Sequence, residues 1–525
     1  MKKNKIINFL LLGMLIVLVS ASLIGCQNKD NENSNNEVAE TESNRVKEEL
    51  VLVEREIASN TDPNFYPGSN HYLCNGAAET LFKIDEKGNV NPMLAKDSKQ
   101  LDPKTWEISL RPEAVFWSGE PVNSKAVIKS LERTRKTNSR AISSLEGMSF
   151  TEKDDWTIEV KTESENQPVP LNLAYMELAI INADKAHDKV ETMDMTGMYK
   201  VVEFEPKKRI VLEVNDNYYG KKPIIKRIVD EEISDNQART LAAMSGEADI
   251  VRNISNESVA ELRDNSEIVL YNIPASNTET IYLNLKRPYL QDEKVRQALS
   301  WGLNREELVL LGTENLSIPI TSWLSSNPKY ETERNIIYTK YDLEKAGQLL
   351  DEAGWKLNAE GKRTKNGEIL KINLMTWGQD KALGEAIQSQ WINLGIDAQV
   401  NYGDYSLIEQ ARETGEWDAL IEAWQTYGSE YSLLSGQFSP DGVANYGKYN
   451  DDKTNQLLNE LKTATDEDTV KKLSIEINRR VTEQAPSIFI CPRVETTAVN
   501  SSLKGFKGHF RQFENVITAD LYFAE

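Results

Sequence analysis

Histidine is the commonest metal ligand among side chains, and the chain has three: His71, His187 and His509. No pair of them is spaced to meet on one helix face, so a tightly held structural or catalytic zinc is not expected. The motifs that cradle phosphate or build a nucleophile are missing as well. There is no Gly-rich loop ending in Lys-Ser or Lys-Thr, no Gly-x-Gly-x-x-Gly after a strand, no Gly-x-Ser-x-Gly and no His-Glu-x-x-His. With 82 acidic residues, chance pairs of carboxylates are inevitable, and none singles itself out for acid–base work. No catalytic residue is assigned and the reading is a non-enzyme. Flat aromatic side chains remain as recognition chemistry: Trp106, Trp424 and Tyr427 can serve as stacking or cation–π walls, or equally as core. Met193, Met195 and Met198 offer soft sulfur, although packing accounts for them more simply.

The cysteine with the clearest chemistry is Cys26. It follows a basic start (Lys2, Lys3, Lys5), an apolar run over 6–19 and the tetrad Leu23-Ile24-Gly25-Cys26. That is the tripartite form of an export signal, and its end resembles the bacterial lipobox, whose cysteine is diacylated after cleavage. Two acyl chains make a stable anchor. Residues 1–25 are thus expected to be a signal peptide. Residues 26–49, rich in Asn, Ser and Glu, cannot bury a core and are expected to be a tether holding the body at the outer face of the membrane. The remaining cysteines, Cys74 and Cys491, either pair across the fold or sit apart as buried hydrophobes. The net charge of −21 repels phosphate backbones and excludes nucleic acid as a partner.

From residue 50 onward, short strand-like runs alternate with amphipathic helical runs, which argues for an α/β architecture. Strands are predicted at 50–56, 106–110, 156–160, 209–214, 281–285, 371–375 and 396–402. Helices are predicted at 124–134, 236–245, 292–302, 342–353, 384–394, 452–464 and 466–483, several opening on Asp, Asn or Ser as capping requires.

Five ordered blocks then carry a family resemblance. MLAKDSKQLDPKTWEISLRPEAVFWSGEPVNSKAVIKSLER (93–133) resembles the signature of the family 5 extracellular solute-binding proteins, the peptide- and nickel-binding receptors of ABC importers. Residues 196–228, 238–251, 282–309 and 341–355 match further blocks in the family's order. The resemblance implies a two-lobed periplasmic-binding-protein-like fold that closes around its ligand by hinge motion, with an extra subdomain (about 87–195) in lobe I. Lobe I would comprise 50–272 and lobe II 273–486, and 487–525 would return to lobe I. ABC permease and ATPase subunits are the implied partners, with no prosthetic group.

For the ligand, the resemblance leaves several classes open. Peptide-binding relatives place an aspartate near the position of Trp424-Gln425-Thr426-Tyr427-Gly428-Ser429-Glu430, where this chain loses their pattern and offers only Glu430. Arg140 stands where metal-chelate receptors carry an arginine for chelator carboxylates, and residues 75–81 resemble another segment of theirs, with His71 just before it as the candidate metal ligand. Nickel or another transition metal held as a small chelate is therefore the first expectation and an oligopeptide or dipeptide the second. An exported signalling receptor or hydrolase on the same scaffold is the third.

Overall fold

Strand 487–500 explains most of the architecture. Its sequence, Ser-Ile-Phe-Ile-Cys-Pro-Arg-Val-Glu-Thr-Thr-Ala-Val-Asn, is β-branched and apolar on both faces, which suits a strand covered on both sides. In the computed structural model, which describes residues 47–524 apart from 66, 67, 139, 140, 512, 513 and 515, this strand lies inside a ten-stranded sheet. The sheet contains β1 (Glu49–Glu54), β2 (Tyr199–Glu205), β3 (Arg209–Val214), β4 (Arg227–Glu232), β5 (Ile250–Ile254), β6 (Ile268–Leu283), β7 (Lys371–Trp377), β8 (Asp397–Gly403), β9 (Ala419–Gln425) and β10 (Ser487–Asn500), in the spatial order β8-β7-β9-β6-β10-β5-β1-β4-β3-β2.

Two long antiparallel strands, β6 and β10, join the halves of this sheet. Ile268 to Pro274 of β6 face Asn500 to Val494 of β10, and Thr278 to Tyr282 face Pro492 to Ser487, with one register shift between the two stretches and another between Glu279 and Thr280. Pro274 and Pro492 border the main shift, where an unpaired residue costs little because proline has no N–H to offer. One part of β10 thereby packs with the second half and the other part with the first. Ile488, Ile490 and Cys491 belong to the core around β7 and β9, whereas Val499 packs with Leu50, Leu52 and Ile228. The expected boundary at 272–273 falls inside β6.

β1 is parallel to both β4 and β5, and its residues alternate between two cores. Leu50 and Leu52 face one, Val51 and Val53 the other. A four-stranded antiparallel sheet (Ala95–Asp102, Thr105–Leu110, Thr157–Thr162, Met148–Asp154) and the helix Ser124–Thr137 form a separate core with Leu131 and Ile158. Asn123 caps that helix, its side chain accepting from the Ala126 amide. Cys74 and Cys491 are both buried and unpaired, one in each half's core. Among the described residues no helix is long and apolar enough to cross a membrane.

Candidate interlobe cleft

In open α/β sheets the carboxyl ends of parallel strands are where ligands bind, because loops and helix starts converge there. Here those ends face one another across β6 and β10. A cavity of about 640 Å³ lies between them, within the usual range for small-molecule sites. Arg55 follows β1, Asn253 is near the end of β5, Trp377 is the last residue of β7, and Asp380 opens the helix that follows. Glu279 of β6 and Arg493 of β10 form the floor. Arg493 donates from Nε to Glu279 Oε1 at 2.6 Å and from Nη2 to Asp380 at 3.4 Å. Burial opposes its charge, but Glu279 and then Asp380 outweigh that and hold the guanidinium protonated.

A chain of buried charges runs from the cavity wall into the first half. Glu495, on the same strand face as Arg493, lines the cavity and accepts from Arg252 Nη2 at 2.8 Å. Arg252 Nη1 donates to Glu54, and His71 Nδ1 lies 3.5 Å from that carboxylate. Burial pushes Glu495 above the usual carboxylate range. At Glu54 burial acts the same way, but Arg252 and His71 outweigh it and the carboxyl titrates below its ordinary value. Burial lowers His71, and Glu54 more than compensates, so the imidazole is raised. Asp230, also buried, is pushed up to about 8 by desolvation and by the negative charge of Glu54.

The residues singled out from the sequence are distributed differently. Trp106 sits on the strand Thr105–Leu110, half-buried against the subdomain core and opposite Gln100 and Val160. It does not line the cavity. Trp424, on β9 opposite Thr278, is half-buried between two clusters. Tyr427 is buried in the subdomain core, its hydroxyl donating to the Gly88 carbonyl at 2.7 Å. Glu430 opens the helix Glu430–Phe438, accepts from the Tyr330 hydroxyl at 3.2 Å, and lines a second cavity of about 580 Å³ beside Tyr175 and Glu177. His71 belongs to the buried charge chain and lines neither cavity.

Arg140 and Cys26 lie outside the described residues. Next to Arg140, Asn138 donates to the Asn64 carbonyl at 2.7 Å, and Arg133 forks onto Asp62 at 2.6 and 3.1 Å. The loop after β1 is thereby tied to the end of the helix Ser124–Thr137. Among the described residues no group of three or more His, Cys, Asp or Glu could hold a metal ion. Sequence reasoning passed over Arg493, Glu495, Glu279, Asp380 and Trp377. One signal was available: Arg493 and Glu495, two apart on a strand with no other charged residue, must share a face and need partners there.

Comparison with known proteins accords with this geometry. Residues 89–445 match the family described as bacterial extracellular solute-binding proteins, family 5 Middle. The nickel-binding protein NikA of Staphylococcus aureus is 24% identical over 437 residues, covering 82% of this chain and 86% of that protein. The oligopeptide-binding protein AppA of Bacillus subtilis is 24% identical over 457 residues, covering 82% and 83%. The crystal structure of NikA from Brucella suis in complex with Fe(III)-EDTA superposes with a TM-score of 0.80 at 20% identity, covering 91% of this chain and all of that one.

Proposed function

Because this chain belongs to the family 5 bacterial extracellular solute-binding proteins, the receptors that deliver solutes to ABC importers, we propose that its cargo is a transition metal, nickel first, held in a small chelate. The interlobe cavity carries this reading. Its walls bring Arg55 and Arg493 within reach of a carboxylate-rich complex, while the described residues provide no metal cluster of their own, so the ion would arrive with its chelator's donors. Arg140, which the family resemblance assigns to the chelator's carboxylates, is a further arginine of this reading. Relatives named as nickel-binding support the choice.

A second reading, a short peptide, is favoured by one feature. Arg493, Glu279 and Asp380 put partners for a carboxylate and for an ammonium group side by side, and AppA is named as oligopeptide-binding. In either case the leader, Cys26 and the tether would hold the receptor on the outer face of the membrane beside its permease and ATPase subunits.

Native mass spectrometry with metal analysis, on the full chain purified from its own host, tests the choice. A stoichiometric metal with a carboxylate-bearing small molecule, lost in Arg140→Ala and Arg493→Ala, is the expected result. A ladder of peptide masses without metal would replace the chelate by the peptide.

A further inference from the structure

Two tyrosines cross between the halves in opposite directions, and each enters space that a glycine leaves. Tyr427 follows β9 of the second half, yet it is buried in the subdomain core, with its ring 4.9 Å from that of Phe510 and its hydroxyl donating to the Gly88 carbonyl at 2.7 Å. Gly88, at φ +82, lies in the turn between the paired strands Phe82–Ile84 and Val90–Pro92, and a Cβ on it would stand 2.9 Å from the tyrosine ring. Tyr175, packed against the subdomain core, makes the reverse crossing. Its hydroxyl lies 3.0 Å from where a Cβ on Gly428 would stand, and the Arg511 guanidinium lies 5.2 Å from the centre of its ring.

Each side of the Tyr427 crossing is anchored. The turn of Gly88 is held to the first half: Tyr218 and Tyr219, which follow β3, donate to Glu79 at 3.0 and 3.1 Å, and a ring nitrogen of His509 lies 3.2 Å from the Ile84 carbonyl. Tyr427 is held through Thr426, which is fully buried and whose amide and hydroxyl both donate to the Ser276 carbonyl, at 2.6 and 3.0 Å. Ser276 belongs to the stretch of β6 between Pro274 and Thr278 that β10 does not pair, and its amide donates to the Phe510 carbonyl at 3.1 Å. The place where β6 leaves its partner, and where the halves can bend, thus lies directly behind the Tyr427 crossing.

We propose that the two tyrosine–glycine pairs are a latch: they hold the halves together without a ligand, and their release limits how fast a solute enters. The latch goes beyond the solute-capture reading, and its effect on entry rests on that reading. Every contact in it is made by the chain's own atoms. Parting the halves draws the Tyr427 ring out of an apolar core and breaks the hydrogen bond that satisfies its hydroxyl. A solute that binds between the halves meets an open receptor only as often as the latch lets go, so its association is slowed by the closed fraction. The same contacts persist around a bound solute and slow its escape.

The test is X-ray scattering and stopped-flow binding on the full chain: wild type, Tyr427→Ala and Tyr175→Ala, each dialysed until native mass spectrometry finds no bound solute. The probes are the nickel–histidine complex and defined peptides of two to five residues. Empty wild type is expected to have the same radius of gyration with and without a bound probe, and empty Tyr427→Ala a larger one. For any probe that binds, association and dissociation are both expected to be at least tenfold faster in Tyr427→Ala. Tyr175→Ala is expected to shift each readout in the same direction, and carries the test if Tyr427→Ala does not fold. An empty wild type that contracts on binding overturns the latch, as does an unchanged radius in the folded variants. A probe that enters an expanded variant no faster than wild type overturns its control of entry. Binding of no probe by any of the three overturns solute capture, and the radii of the empty proteins still decide the latch.

Discussion

Arg252 and Arg493 are each held between two carboxylates, on neighbouring strands of one sheet, in very different surroundings. Arg252 links Glu54 and Glu495, and its side chain is 2% exposed. Arg493 links Glu279 and Asp380, and its side chain is 28% exposed at the cavity floor. The first is sealed under β1, where removing any partner leaves a bare ion in a poorly solvated core. The second borders space that water or a ligand can enter, so its partners can be exchanged at modest cost. The same fork of residues is thus scaffold in one place and recognition surface in the other. Glu495, which both lines the cavity and grips Arg252, couples the two.

Three substitutions sharpen or break this contrast. Arg252→Met is expected to have the largest effect, destabilising the protein by about 3–5 kcal/mol in urea unfolding because Glu495 loses its counter-charge in the core and Glu54 keeps only His71. A loss no larger than that of an exposed pair would mean that the site is wetter than its burial implies.

The next effect lies in the pH profile of the buried chain. Asp230 has a folded pKa of about 8, above its ordinary 3.8, so the folded state binds its proton more tightly than the unfolded state does. Its contribution to stability is fully present below pH 3.8 and is lost as pH rises towards 8. His71, raised above 6.5, adds a loss in the same direction as pH rises through its folded value. Asp230→Asn is expected to flatten the fall. It should be close to wild type near pH 4 and more stable by about 2 kcal/mol above pH 8, read as melting temperature against pH. A wild-type melting temperature that rises between pH 5 and 8 with no difference in the variant would contradict the assignment.

Arg493→Met gives a smaller change in stability than Arg252→Met, about 1–2 kcal/mol, because Glu279 is left buried while Asp380 can turn to water. Its ligand affinity should fall at least tenfold, or about 1.4 kcal/mol, in titration calorimetry with the co-purified ligand. Equal losses of stability from Arg252→Met and Arg493→Met would erase the distinction between scaffold and recognition.

Much of the secondary structure was legible in the sequence. The predicted strand at 209–214 and helix at 236–245 have the bounds observed, because alternation and capping residues are local signals: Asp235 accepts from the Ala238 amide, and Gly246 closes the helix at φ +73. The predicted strand at 281–285 is instead the end of the sixteen-residue β6. Its first half, Ile268 to Ile273, is β-prone and was passed over; the polar run Ser276 to Thr280 hides its continuity with 281, which pairing with β10 supplies. The site was less legible. Trp106 and Trp424 stand out by type, but type does not distinguish a wall from a core. Asp380 and Glu279 come from distant segments that meet only through Arg493.

The sequence by itself determined most of the elements, the α/β class and the five ordered blocks, since these depend on periodicity and local capping. The tertiary structure decided which charges are buried and which face space. It drew Glu54, His71, Arg252 and Glu495 into one sealed chain, set Arg493 on the floor of a cavity, and seated Tyr427 of one half against Gly88 of the other. Solvation and the distance between residues hundreds of positions apart fix what a charge or a ring does. Neither is set until the chain has closed on itself.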